Sequence, residues 1–188
     1  MSIATTNPAT GETLRTFEPY ESDEVDRRIA LADKAFRDWR KTTFGQRAAL
    51  MRKLADIFEA DADQMSAVMT TEMGKTREQA KGEVLKCANG ARWYAEHAES
   101  LLADEPAPGT AAKVKSYATY QPLGPVLAVM PWNFPMWQVL RFAAPALMAG
   151  NVGLLKHASN VPQTALYIED AATRAGFPEG VFQTLLVG

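Results

Sequence analysis

Val126-Leu127-Ala128-Val129-Met130-Pro131-Trp132-Asn133-Phe134-Pro135 decides the reading of this chain. An apolar run is closed by a loop with a proline at each end. Such a run reads as a buried parallel strand that delivers its loop to the carboxyl edge of a sheet. In open α/β sheets, that edge is where ligands bind. The prolines fix the backbone, and Asn133, between two aromatics, offers two N–H donors from a rigid site. Those donors suit a developing oxyanion; the plainer alternative is an amide that satisfies backbone groups of its own loop.

Working outward, the pattern from Pro122 onward alternates strand, helix, strand, helix, strand, with strands at 126–130, 152–156 and 181–187. Gly150 and Gly176 read as residues just past helix ends, and Pro162 sits in the first turn of the helix after Asn160. This alternation predicts a right-handed parallel βαβαβ unit, half of a doubly wound sheet. The fold class is therefore α/β. Lys156 ends the second strand, so its ammonium emerges at the same edge as Asn133, unless it is merely solvated there. The G-x-G-x-x-G fingerprint of dinucleotide-binding turns is absent, so a cofactor must be argued from other residues.

Upstream, helical spacing dominates after a short extended start. Val25, Ile29, Ala32, Phe36 and Trp39 share a face between Ser22 and Arg40. Thr43 with Gln46 is a capping box opening a helix that buries Leu50, Leu54, Ile57 and Phe58. A third helix runs from Asp61 to Met73 and stops at Gly74, and Thr76 with Gln79 opens a fourth. The breaker-rich stretch from Ala103 to Gly109 marks a boundary, and Val114 to Tyr120 alternates like an exposed strand. The predicted divisions are 1–105 for the extended segment and helices, 106–122 for linker and strand, and 123–188 for the α/β unit.

The 188 residues are 47% hydrophobic with a net charge of −2, and a pI near 5.8 argues against nucleic acid or an anionic membrane as partner. No basic and apolar leader opens the chain, and no run approaches the ~20 apolar residues that span a bilayer. The expectation is a cytoplasmic protein. Cys87 is the single cysteine, which excludes an intrachain disulfide. It falls in the helical series Val84, Cys87, Ala91, Tyr94, Ala98 and Leu101, where a cysteine packs as a small hydrophobe. With only His97 and His157 elsewhere, no metal cluster is expected.

The Pro131–Pro135 segment resembles the oxyanion-asparagine loop of the aldehyde dehydrogenase superfamily. Asn7-Pro8-Ala9-Thr10-Gly11-Glu12 resembles that family's N-terminal segment and Glu72-Met73-Gly74-Lys75 a helix-terminal motif. Gly150-Asn151 with Lys156 resembles the second strand of its nucleotide-binding domain. The likeness covers nearly the whole chain and is closest to NADP-dependent succinate-semialdehyde dehydrogenases. It implies oxidation of succinate semialdehyde to succinate, with Asn133 as the oxyanion donor. Met130, Pro131, Trp132 and Asn133, together with Lys156, His157, Ala158 and Ser159, would line the cofactor. A serine at 159, where an acidic residue would repel a 2′-phosphate, favours NADP over NAD. His157 departs from the family's commoner proline.

Arg141 matches the arginine that grips a distal carboxylate, and Trp137 would line the same tunnel, although both residue types also occur in purely structural roles. The Val114–Tyr120 strand would belong to an oligomerisation arm, making the parent enzyme a homo-oligomer. The resemblance further implies a parent more than twice as long, whose glycine-rich loop, general-base glutamate and nucleophilic cysteine are not among these residues. On that expectation the 188 residues alone are inactive. The alternatives are a non-catalytic module that associates with full-length subunits, or a dehydrogenase of other aldehyde range.

Overall fold

The computed structural model describes residues 2–107 and 114–188. Its order is β1 (Ile3–Thr6), β2 (Thr13–Phe17), α1 (Ser22–Trp39), α2 (Phe44–Ala60), α3 (Ala62–Met73), α4 (Arg77–Leu101), β3 (Glu105–Pro106) and β4 (Tyr117–Ala118), then β5 (Pro125–Met130), α5 (Trp137–Met148), β6 (Val152–His157), α6 (Pro162–Ala175) and β7 (Phe182–Thr184). β1 and β2 form an antiparallel hairpin. Asn7 closes its turn: the backbone oxygen accepts from Gly11 N–H and the side-chain oxygen from Ala9 N–H.

Local chemistry sets the helix limits as expected. Thr43 accepts the Gln46 N–H while the Gln46 side chain accepts the Thr43 N–H, so α2 opens on a full capping box. At Thr76 only the hydroxyl half of that arrangement forms. Gly74 and Gly176 end α3 and α6 at φ of 78° and 94°, backbone that other residues adopt only with strain. The face of α4 that packs inward is Ala80, Glu83, Val84, Cys87, Ala88, Ala91, Ala95 and Ala98, whereas Leu101 and Ile29, both expected inside, are exposed. Leu101 lies in the last turn of its helix, and Ile29 lies on the flank of α1 away from buried Ala32 and Trp39.

β5, β6 and β7 make one parallel sheet with β6 in the middle. The register pairs Val129 with Lys156 and Met130 with His157, so both loops leave from the same carboxyl edge. The first strand is parallel as expected but not buried: Leu127 and Val129 are 58% and 67% exposed. Among the described residues β5 pairs only with β6, and alternate side chains face away from the covered layer. Apolar composition announces a strand without saying which of its faces is covered.

The third strand is shorter than 181–187. Ladder pairing runs from Phe182 to Thr184, and after Leu185 N–H reaches Leu155 O, the Leu186 carbonyl turns to accept Tyr20 N–H. Leu185 and Leu186 are nonetheless buried, so an apolar run here serves packing rather than pairing. Within the Val114–Tyr120 stretch, Tyr117–Ala118 pairs with Glu105–Pro106, apart from the main sheet, and Ser116 O accepts Ala107 N–H. The expected breaker at Ala103–Gly109 extends outside the described residues at 108 and 109.

A single buried cluster runs through α1 to α6 and the sheet, including Trp39, Phe58, Met69, Cys87, Leu147, Leu155 and Phe182. Each large apolar side chain so buried contributes about 1.5–3 kcal/mol. Helix α5 is bound into this core at its end as well as along its length. The Trp39 indole N–H donates to Leu147 O and the Arg47 guanidinium to Met148 O, which satisfies carbonyls that a helix end leaves open.

Candidate active site

The carboxyl edge of the sheet brings together the Met130–Trp137 loop and the Lys156–Ser159 segment. Asn133 is exposed, and its amide makes no hydrogen bond with any described residue, so it is not consumed in bracing its own turn. The bracing comes from neighbours. Glu83, buried on α4, accepts Met136 N–H at 2.9 Å and Trp137 N–H at 3.0 Å through one oxygen. Its other oxygen takes the Lys75 ammonium, which also lies 3.8 Å from the centre of the Phe134 ring. His157 donates from Nε2 to Pro135 O at 2.9 Å. The loop is therefore held at Phe134, Pro135, Met136 and Trp137, directly after the asparagine.

Lys156 is half-buried, and its ammonium forms no ion pair or hydrogen bond among the described residues. Ser159 is half-buried too, and its carbonyl accepts Ala4 N–H at 3.1 Å, which pins the segment to β1. His157, Ala158 and Ser159 line a narrow cleft with Ile3, Pro162 and the Thr184–Val187 stretch. A ligand lying along that cleft would meet the Lys156 end of β6 and the Ser159 side chain.

The start of α6 lies beside this cleft and is already occupied by an anion. Glu72, 2% exposed, accepts Gln163 N–H at 2.7 Å, Thr164 N–H at 3.0 Å, the Thr164 hydroxyl at 2.7 Å and the Thr5 hydroxyl at 2.8 Å. Burial raises its pKa, opposed by the donors from Thr164, Gln163 and Thr5. Helix N-termini of this kind bind phosphate when vacant. Here the carboxylate fills the place, so an anionic ligand at Ser159 has Lys156 as its counter-charge rather than the α6 backbone.

Arg141 sits on α5, exposed, with no ion pair among the described residues. Trp137 is half-buried: the centre of its ring lies 4.1 Å from the Lys86 ammonium, and a Cβ on Gly90 would meet the ring at 3.1 Å. Cys87 is fully buried, and burial, with Glu83 nearby, pushes its thiol well up. It is a packing residue, not a thiolate. Among the described residues, no cluster of His, Cys, Asp or Glu could hold a metal ion, and no helix is long and apolar enough to cross a membrane.

Sequence reasoning passed over Glu83, Glu72 as a buried acid, and the bond made by His157. One signal existed for Glu83: it lies three residues after Ala80 and four before Cys87, on the apolar stripe of α4. A charged residue on such a stripe is buried and must be paired.

The model of the aldehyde dehydrogenase family matches residues 1–188. The chain is 65% identical to the Mycobacterium tuberculosis succinate-semialdehyde dehydrogenase [NADP(+)] 1 over 190 residues, covering all of this chain and 41% of the relative. Among solved structures, it superposes on the Streptococcus pyogenes succinic semialdehyde dehydrogenase, determined with NADP+ as the cofactor, with a TM-score of 0.94 at 34% identity, covering 99% of this chain and 41% of that one. A salicylaldehyde dehydrogenase from Pseudomonas putida matches with a TM-score of 0.93 at 26% identity, over 100% of this chain and 39% of its own. The chain thus spans about two-fifths of the length of the relatives it matches.

Proposed function

The chain belongs to the aldehyde dehydrogenase family, and we propose that it serves the oxidation of succinate semialdehyde to succinate with NADP. The observation that carries this reading is the unpartnered amide of Asn133 on a loop held by Glu83 and His157. When a thiolate attacks an aldehyde, negative charge gathers on the former carbonyl oxygen. A preorganised donor aimed at that oxygen accelerates the step by about 10²–10³. The Asn133 side chain supplies it without giving up an existing bond.

NADP, when bound, supplies the hydride acceptor. Lys156 would neutralise its 2′-phosphate and Ser159 would accept it, with Met130, Pro131, Trp132, His157 and Ala158 shaping the surrounding walls. Glu72 beside the same segment disfavours any anion that lacks Lys156 as partner, which makes the lysine the electrostatic anchor of the site. Arg141 would pair with the distal carboxylate of the semialdehyde, since a guanidinium offers the planar two-point contact a carboxylate fits. The paired names of the mycobacterial and streptococcal relatives support this substrate and cofactor. The nucleophile and the general base lie outside these residues on this reading, because Cys87 is sealed in the core. Assembly as a homo-oligomer is part of the same proposal, with exposed β3 and β4 as the arm.

The test joins these residues to the remainder of the mycobacterial relative and assays the complete chain with NADP. Asn133→Ala should lower kcat on succinate semialdehyde and on an uncharged aldehyde alike, by about 10²-fold. Arg141→Ala should penalise only the carboxylate-bearing substrate. Equal losses for Arg141→Ala on both substrates would reject the dicarboxylic semialdehyde, and an unchanged rate for Asn133→Ala would reject the oxyanion role.

A further inference from the structure

We propose that His157 is a positioning residue that ties the cofactor-facing Lys156–Ser159 segment to the loop bearing Asn133, through an imidazole that carries its proton on Nε2. The proposal rests on the roles given above to Asn133 and to Lys156 with Ser159. Two hydrogen bonds define the ring without ambiguity. Pro135 O, 2.9 Å from Nε2, can only accept, so Nε2 holds the hydrogen. Ala158 N–H, 2.8 Å from Nδ1, can only donate, so Nδ1 is a bare lone pair. Both nitrogens are used and the residue is 5% exposed, which leaves the ring one orientation and one tautomer.

The consequence lies in what the two partners belong to. Ala158 sits between His157 and Ser159, in the segment that would read the 2′-phosphate. Pro135 lies two residues after Asn133, and its carbonyl is fixed from the β6 side while Glu83 fixes Met136 and Trp137 from the α4 side. The Pro135 bond ties the part of the loop that follows Asn133 to the 157–159 segment. A protonated ring would place a second N–H against Ala158 N–H, and burial favours the neutral form against the opposing pull of the Pro135 and Met130 carbonyls. Displacement of a catalytic group by about 1 Å can cost up to about 10²-fold in rate. A single bond at Pro135 therefore has leverage on the Asn133 amide that its own strength does not suggest.

Amide substitutions separate the two bonds. In His157→Asn the short side chain can still accept Ala158 N–H but cannot reach Pro135; in His157→Gln the amide N–H reaches the place of Nε2. In the complete chain described above, His157→Asn should lower kcat/KM for the aldehyde by about tenfold. His157→Gln should restore most of it, because its amide N–H can again donate to Pro135 O. Combined with Asn133→Ala, His157→Asn should add little further loss, because the two act through one group. Equal losses for Asn and Gln, or a full additive loss in the Asn133→Ala background, would each overturn the proposal. A rate unchanged by Asn133→Ala alone would instead sink the underlying oxyanion reading, and this proposal with it. Should His157→Asn prove insoluble, ¹⁵N–¹H spectra of the parent imidazole decide the matter: a ring protonated on Nδ1 refutes it.

Discussion

Glu83 accepts the N–H of Met136 at 2.9 Å and so performs for α5 the task of an N-cap from another helix. Met136, the residue at the cap position, has no side-chain bond to offer. Glu72 does the same for α6, whose own cap residue is Val161. Both helices that follow sheet strands thus have their open N–H groups satisfied by carboxylates from the helical layer. This welds the carboxyl edge of the sheet to α3 and α4, and it fills two positions where a parallel sheet would otherwise bind anions.

Removing Glu83 leaves two backbone donors and the Lys75 ammonium without their partner in a buried place. Glu83→Ala should cost about 3–5 kcal/mol of folding stability, and Glu83→Gln, which keeps one acceptor oxygen, clearly less. Urea unfolding at constant m-value measures both. Equal stability of the alanine variant and the parent would show that these bonds are not held in solution.

Glu72→Ala strands the Gln163 and Thr164 donors, and the expected loss is about 3 kcal/mol. The sign with pH follows from its raised pKa. The folded state holds the Glu72 proton more tightly than the unfolded chain, so that contribution is full below the ordinary carboxylate value and is lost as pH rises through the folded pKa. The gap between parent and variant should therefore narrow from about pH 4 upward to neutrality. A gap that widens over that range contradicts the assignment.

Ser159→Glu should turn cofactor preference from NADP toward NAD. A carboxylate at this position repels a 2′-phosphate, while it can accept a hydrogen bond from a free 2′-hydroxyl. The ratio of kcat/KM for the two cofactors should move by at least about tenfold. An unmoved ratio places Ser159 outside the ribose site.

Cys87, fully buried with its thiol pushed up, should resist a thiol reagent in the native state and react once urea unfolds the chain. The 188 residues alone should show no turnover of succinate semialdehyde with NADP. Turnover that Cys87→Ser abolishes would mean that the cysteine is a nucleophile after all.

The strand and loop at 126–135, the helix starts at Thr43 and Thr76, and the ends at Gly74 and Gly176 were legible because each depends on residues within a few positions. A capping hydroxyl, a positive φ or a proline acts locally. Within the candidate site, Asn133 and Lys156 stand out by their places just after and near the end of apolar strands, whereas Ser159 is singled out by the family resemblance. Exposure of Leu127 and Val129, and the early end of β7, were not legible. Apolar sequence says that a segment seeks burial, but the coverage of each face depends on which elements pack there.

Residue types and local limits were thus determined by the sequence itself, while tertiary structure alone decided how the asparagine is held. Glu83 and Met136 lie far apart along the chain, as do Glu72 and Thr164, or His157 and Pro135, and no local pattern encodes their meeting. A buried carboxylate or imidazole must find a partner wherever the fold brings one, since an unpaired polar group in the core costs more than any helix propensity can supply. Long-range pairing of that kind is a property of packing, and it is what holds the loop that carries the exposed Asn133 amide.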